Sequence, residues 1–220
     1  MKISIVTVSL NEDKHIKRTI ESVKNQTYKD IEHIFVDGLS TDDTIDIIRS
    51  YGHTPIIRRP KGIYNAMNHG TVNTTGDYVL YLNANDWLVN NKVIENVVKL
   101  IRKYPDRTLY YGRKINYDCN MNRKGRTPAK DSGKKEWSDI GRYIPHGGCF
   151  IKREYMIANP YIETLKIYSD RFTIADVCLL NETIDIKIDI INFYKCGLST
   201  TLDKETRLKE FYLYKDKYIE

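Results

Sequence analysis

Residues 31–44 read IEHIFVDGLSTDDT, a mostly apolar run from Ile31 to Val36 that stops on Asp37 and passes through Gly-Leu-Ser into polar residues. A short apolar run with β-branched and aromatic members reads as a buried strand. Ser40 with Asp43 three residues on predicts a capping box, ahead of Ile45, Ile48 and Tyr51 on one helical face. A strand, a polar turn and a helix in such close succession are the first half of a βαβ unit.

The same grammar extends in both directions. Ile3–Leu10 predicts a strand buried on both faces. After it Asn11 is placed to cap a helix, Glu12 and Asp13 suit its positive end, and Ile16, Ile20 and Val23 share one face. Downstream, Pro55–Arg58 predicts a third short strand, YNAMNHG (64–70) a helix, and Asp77–Leu82 a fourth strand. Alternation at this spacing predicts an α/β fold with a Rossmann-like, mostly parallel central sheet and helices on both faces. Ligands of such sheets bind outside the carboxyl ends of the strands, where DGLS (37–40) and NAND (83–86) both fall.

The second half is less regular. Lys92–Arg102 predicts an amphipathic helix, Thr108–Tyr111 a short strand, and 113–140 a mobile loop or short hairpin. HGGCFIKR (146–153) resumes a strand, 163–182 is helical in part, Ile184–Ile191 is a strand and Lys204–Ile219 a charged helix. No repeat or low-complexity linker compels a boundary. The expectation is a single domain over 1–220, with halves 1–112 and 113–200 and a C-terminal helix, 201–220.

Of the 220 residues, 41% are hydrophobic and 29% charged, a globular composition outside the range of disordered chains. The opening MKISIVTVSLNEDK has too short an apolar stretch for a signal segment or a membrane span. A soluble, cytoplasmic protein is expected. Cys119, Cys149, Cys178 and Cys196 show no metal-site spacing and are expected to be free thiols. The net charge of +6 is concentrated in 113–135, where Arg113, Lys114, Arg123, Lys124, Arg126, Lys130, Lys134 and Lys135 face only Asp118 and Asp131. That stretch is either a solvated loop or a basic lip toward an anion such as a lipid diphosphate or a membrane surface. It has few interleaved aromatics, so nucleic acid is not an expected partner.

IVTVSLNE (5–12), SVKNQTYKDIEHIFVDGLSTDDT (22–44), KGIYNAMNHGTVNTTGDYVLYLNAND (61–86), PHGGCFIKR (145–153) and KIYSDRF (166–172) together resemble the successive motifs of family 2 inverting glycosyltransferases. The resemblance spans roughly 1–200, weakest at 113–140, and lies nearest the bacterial branch that assembles capsule, O-antigen and exopolysaccharide. It implies the GT-A nucleotide-diphospho-sugar transferase fold. It also implies a donor that is UDP-linked, a glycan or lipid-diphosphate-linked acceptor, peripheral contact with the inner face of the cell membrane, and a homodimer.

By the same resemblance Thr7, Val8 and Ser9 line the base pocket, and Asp37 and Glu12 take the base or ribose. Arg58, Arg59 and Lys61 stand near where this branch usually has an acidic residue, and are read either as cations reaching the diphosphate or as a solvated loop. Asn68 and Asn83 complete the nucleotide set, and Asn65 stands where relatives carry Asp. Asp86 and Asn85 are the expected ligands of Mg²⁺ or Mn²⁺. His146 approaches phosphate or acceptor, and Asp170 is the general base, with Asp176 as the fallback. Trp87 and Trp137 are candidates for sugar stacking, though packing explains them as well.

The NAND turn departs from the family pattern. Amides stand at Asn83 and Asn85 where carboxylates are usual, and an amide oxygen brings no charge to a hard cation. Three readings follow: a weak metal site on Asp86, a transferase that neutralises its leaving group with Arg and Lys, or a nucleotide-binding module impaired in catalysis that acts as a partner in a biosynthetic complex. A nucleotidyltransferase is disfavoured because no Gly-rich basic loop follows the first strand.

Overall fold

The computed structural model describes residues 1–127, 144–180, 182–196 and 203–218. Among the described residues nine strands form one continuous sheet: β1 (Ile3–Ser9), β2 (Ile31–Asp37), β3 (Ile56–Ile57), β4 (Tyr78–Tyr81), β5 (Trp87–Leu88), β6 (Leu109–Tyr117), β7 (Arg123–Thr127), β8 (Cys149–Lys152) and β9 (Thr183–Tyr194). Their order is β3-β2-β1-β4-β8-β6-β9-β5, with β7 paired to β6. The first four strands run parallel. β8 then enters antiparallel between β4 and β6, and β9 returns parallel to β6.

Alternation along the central strands accounts for burial on both faces. Ile3, Ile5, Tyr78, Leu80, Tyr110 and Phe150 enter one core, under α1 (Ile16–Lys24) and α4 (Val93–Lys103). Val6, Val79, Tyr81, Leu109, Tyr111, Cys149 and Ile151 enter the other. That second core is covered by α3 (Ile63–Val72), α5 (Arg153–Ala158), α6 (Ser169–Leu179) and α7 (Lys204–Tyr218). The short α2 (Thr44–Ser50) packs on α1 through Ile48, Ile16 and Ile20. Gly70 lets α3 lie directly on β1, because a Cβ there would collide with the Val6 side chain.

Several expectations are corrected. Asn11 does not cap a helix: α1 begins only at Ile16, and Asn11 takes a left-handed φ of 55° with its Oδ1 accepting from the Thr41 N–H. The Ser40–Asp43 capping box does not form. Ser40 turns back to Asp37, and Asp42 accepts from the Thr44 N–H and hydroxyl instead. The basic stretch begins as a β6–β7 hairpin, with β6 running well past Tyr111 because β9 pairs with it to Tyr117. Residues 128–143, including Trp137, lie outside the described residues. Cys119 and Cys196 are not free thiols; the hairpin turn and the end of β9 bring their Cα atoms to 5.7 Å, and they form a disulfide. Cys149 and Cys178 are buried thiols. No helix among the described residues is long and apolar enough to cross a membrane.

Candidate active site

The carboxyl ends of β1, β2 and β4 open into a cavity of about 870 Å³, closed on the far side by β6, the 3-10 turn His146–Gly148 and α6. Of the residues singled out in the sequence, Val8, Ser9, Glu12, Asp37, Arg59, Lys61, Asn83, Asn85, Asp86, His146 and Asp170 line it. Thr7 and Asn68 do not. The Thr7 hydroxyl donates to the Leu82 carbonyl at 2.7 Å, inside the sheet. Asn68 binds the backbone of Tyr161 through both ends of its amide.

On the β1–β2 side, Asp37 is fully buried and already engaged. Its Oδ2 accepts from the hydroxyls of Ser9 and Ser40, and its Oδ1 from the Ser40 N–H, each at 2.7 Å. The remaining lone pairs of the carboxylate are its only capacity for a ligand. Glu12 lies beside it, 3.1 Å from the His15 Nδ1. Arg59 and Lys61 are exposed at the rim.

The turn after β4 carries the opposite problem, too few partners. Asn83 Oδ1 is buried and has no hydrogen-bond partner among the described residues. The Asn85 carbonyl accepts from Arg18, whose guanidinium lies 3.6 Å from the Trp87 ring centroid, so Trp87 packs under an arginine. Asp86 is 1% exposed. Burial pushes its carboxyl up to about 7, against the Tyr194 N–H, Lys114 and Arg18, which favour the charged form. The Tyr194 N–H donates to Oδ1 at 2.9 Å, and Asp86 lines the cavity.

As a cation site the turn is thin: one carboxylate with two amides, where Mg²⁺ and Mn²⁺ favour charged oxygens. Among the described residues no group of three or more His, Cys, Asp or Glu side chains could hold a metal ion.

Across the cavity, Asp170 stands in the first turn of α6. Its Oδ1 accepts from the Tyr64 hydroxyl and the Arg171 N–H, both at 2.9 Å. Its Oδ2 lies 3.9 Å from His146 Nδ1. Burial, then the Asp170 charge, holds the Tyr64 phenol well above its ordinary range, so it stays a donor. Burial likewise lowers His146, outweighing Asp170, which pulls it up. The neutral ring is stacked on Tyr81 at 5.2 Å, with Nε2 2.7 Å from the Tyr161 hydroxyl. Asp176 instead faces Lys217 of α7 at 3.3 Å and does not line the cavity.

Two site residues escaped sequence reading. Tyr64 drew no reading beyond its place in the YNAMNHG helix, and nothing local marks its partner 106 positions away. Lys114 lay in a stretch read as a mobile loop or short hairpin, and β6 carries it into the cavity with Asp86, His146 and Asp170.

The model of the glycosyl transferase family 2 matches residues 4–158. The PGL/p-HBAD biosynthesis glycosyltransferase of Mycobacterium tuberculosis is 34% identical over 124 residues, covering 54% of this chain and 48% of that protein. The Escherichia coli UDP-Glc:alpha-D-GlcNAc-diphosphoundecaprenol beta-1,3-glucosyltransferase WfaP is 35% identical over 99 residues, covering 43% and 39%. The chain thus matches about half the length of the first of these relatives and less of the second. The crystal structure of Staphylococcus aureus TarS 1–349 in complex with UDP superposes with a TM-score of 0.76 at 15% identity, over 99% of this chain and 65% of that one. The fold is therefore GT-A, and since the matched region holds Asp37, the 83–86 turn and His146, the chain belongs to glycosyl transferase family 2.

Proposed function

We propose that the protein is an inverting glycosyltransferase that moves a hexose or N-acetylhexosamine from a UDP-linked donor to a glycan on a lipid diphosphate, in bacterial surface polysaccharide synthesis. The observation that carries this reading is the placement of Asp170 across one cavity from Asp37 and the 83–86 turn. Residues 1–112 supply most of the donor site and 113–200 the acceptor site. Asp37, Ser9 and Val8 take the nucleoside, and Asn83 Oδ1, without a hydrogen-bond partner among the described residues, is an oxygen left for the donor. The UDP in the TarS complex and the diphosphoundecaprenol acceptor in the name of WfaP support the substrate classes. A lipid-linked acceptor brings the protein to the cytoplasmic face of the membrane.

In the reaction the acceptor oxygen attacks the anomeric carbon from the face opposite the diphosphate. Its proton passes to Asp170 Oδ2, the glycosidic C–O bond forms, and the bond to the phosphate oxygen breaks with its electron pair leaving on the diphosphate. One in-line displacement inverts the anomeric centre. Tyr64 holds Asp170 through Oδ1, and neutral His146 is placed to donate to acceptor or phosphate. A Mg²⁺ or Mn²⁺ ion at the turn would rest on Asp86 for charge, with Asn85 beside it, and would supply positive charge to the departing diphosphate.

The test is transfer from UDP-glucose, UDP-galactose and UDP-N-acetylglucosamine to lipid-diphosphate glycan analogues, with the product anomer read by NMR. Activity with inversion that falls about 10²- to 10⁴-fold in Asp170→Asn supports the reading. The amides at 83 and 85 favour a second one, a nucleotide-binding module impaired in catalysis. UDP binding without transfer to any acceptor would select it.

A further inference from the structure

We infer that Lys114 is a binding residue for the diphosphate of a nucleotide donor, supplying at the 83–86 turn a positive charge that the chain carries in its own sheet. The inference deepens the function proposed above and rests on it.

Lys114 sits on β6, on the floor between the two walls of the cavity. It lines the same space as Asn83, Asn85 and Asp86 on one side and His146 and Asp170 on the other. Among the described residues no hydrogen bond or ion pair holds its ammonium; the Phe193 ring centroid lies 4.1 Å from Nζ, and against the burial that lowers its pKa the charges of Asp86 and Asp170 favour its protonated form. An aromatic face holds a cation in place without neutralising it.

The other described cations of the basic stretch differ. Lys124 is paired with Asp118 at 2.8 Å and Arg126 with Asp189 at 2.6 Å, and neither lines the cavity. Arg113 and Arg123 do not line it either. Lys114 is thus the described member of that stretch that reaches the cavity, and it does so outside any hydrogen bond or ion pair among the described residues.

Charge complementarity then selects the ligand. The turn presents one carboxylate and two neutral amides, so it repels an anion less than a turn of carboxylates would. A lysine beside it offers three N–H donors and a full charge at the place where the leaving group gathers negative charge. The ammonium weakens the hold of Asp86 on a divalent ion, whereas it attracts a diphosphate. The ligand class is therefore a nucleoside diphosphate, bound through its phosphates.

Calorimetric titration of UDP and of uridine into wild type, Lys114→Met and Lys114→Arg, each in EDTA and again in Mn²⁺, tests this. The expected result in EDTA is that wild type prefers UDP to uridine, and that Lys114→Met loses roughly 10- to 100-fold in UDP affinity, the range of a charged hydrogen bond. Uridine affinity stays unchanged, which also reports that the variant is folded, and Lys114→Arg recovers part of the loss. An unchanged UDP-to-uridine ratio in Lys114→Met overturns the inference while leaving a nucleotide-binding site intact. A preference that arises only with Mn²⁺, equally in wild type and variant, overturns it too. Absence of binding by wild type to UDP, GDP and dTDP and to their nucleosides would instead overturn the donor site itself, and the inference with it.

Discussion

The Tyr64 hydroxyl donates a 2.9 Å hydrogen bond to Asp170 Oδ1, tying α3 on the parallel half of the sheet to the first turn of α6. The bond leaves Oδ2 as the oxygen facing His146. It fixes which lone pair of the proposed base meets the acceptor.

Tyr64→Phe removes this bond and keeps the ring in its core. A hydrogen bond to a charged acceptor is worth about 1.5–3 kcal/mol, so kcat is expected to fall about 10- to 100-fold. KM for the donor should stay within about two-fold, because the phenol bonds Asp170 and neither Asp37 nor the 83–86 turn. Steady-state kinetics decides it. A change confined to donor KM would mean that Tyr64 shapes the donor site and not Asp170.

The C-terminal helix is bound to the same region by one buried carboxylate. Glu210 of α7 accepts from the backbone N–H groups of Lys166, Ile167 and Tyr168, the last two at 2.9 and 3.1 Å, just before Asp170. Removing it leaves buried donors without a partner, so Glu210→Ala should cost on the order of 3 kcal/mol. Urea denaturation measures that loss. Glu210→Gln, which keeps two acceptor lone pairs on one oxygen, should be milder, and an equal loss in both would place the effect in the charge.

Sequence pattern resolved the parallel half of the fold because each strand there is apolar on both faces and each helix follows at once. The motifs at 37, 83–86, 146 and 170 fall together because strand ends gather at one edge of such a sheet. What stayed hidden depends on distant partners. β5 is two residues long and exists because Trp87 and Leu88 pair with Asn192 and Ile191. Residues 112–117 are polar in sequence, yet pairing with β9 makes them strand and puts Lys114 in the cavity. Asn11 and Ser40, both good caps by composition, bind across the β1 and β2 loops instead.

The Cys119–Cys196 disulfide belongs to that long-range class, and Cys196 also lines the cavity. It closes a loop of 77 positions, so chain entropy assigns it about 4.5 kcal/mol. Dithiothreitol should lower the Tm of wild type by several degrees and leave that of a Cys119→Ser/Cys196→Ser double variant unchanged. An equal Tm with and without reductant would mean that the bridge contributes nothing to stability.

His33 sets a sign for the pH dependence of folding. The single hydroxyl proton of Thr7 goes to the Leu82 carbonyl, so at the 2.8 Å contact with His33 the ring must donate from Nε2. Burial, then the charge of His53, holds the His33 imidazole well below its ordinary range. The unfolded chain therefore takes up a proton near the ordinary histidine pKa of about 6.5 that the folded chain refuses. Stability from this group is present above that pH and lost as pH falls from it toward the folded value. Between pH 7.5 and 5.5 the Tm of wild type should fall, and His33→Gln, whose amide can donate to Thr7 without titrating, should fall less steeply. Parallel slopes in the two proteins would assign the acid loss to other groups, with His146, also lowered by burial, the next to replace.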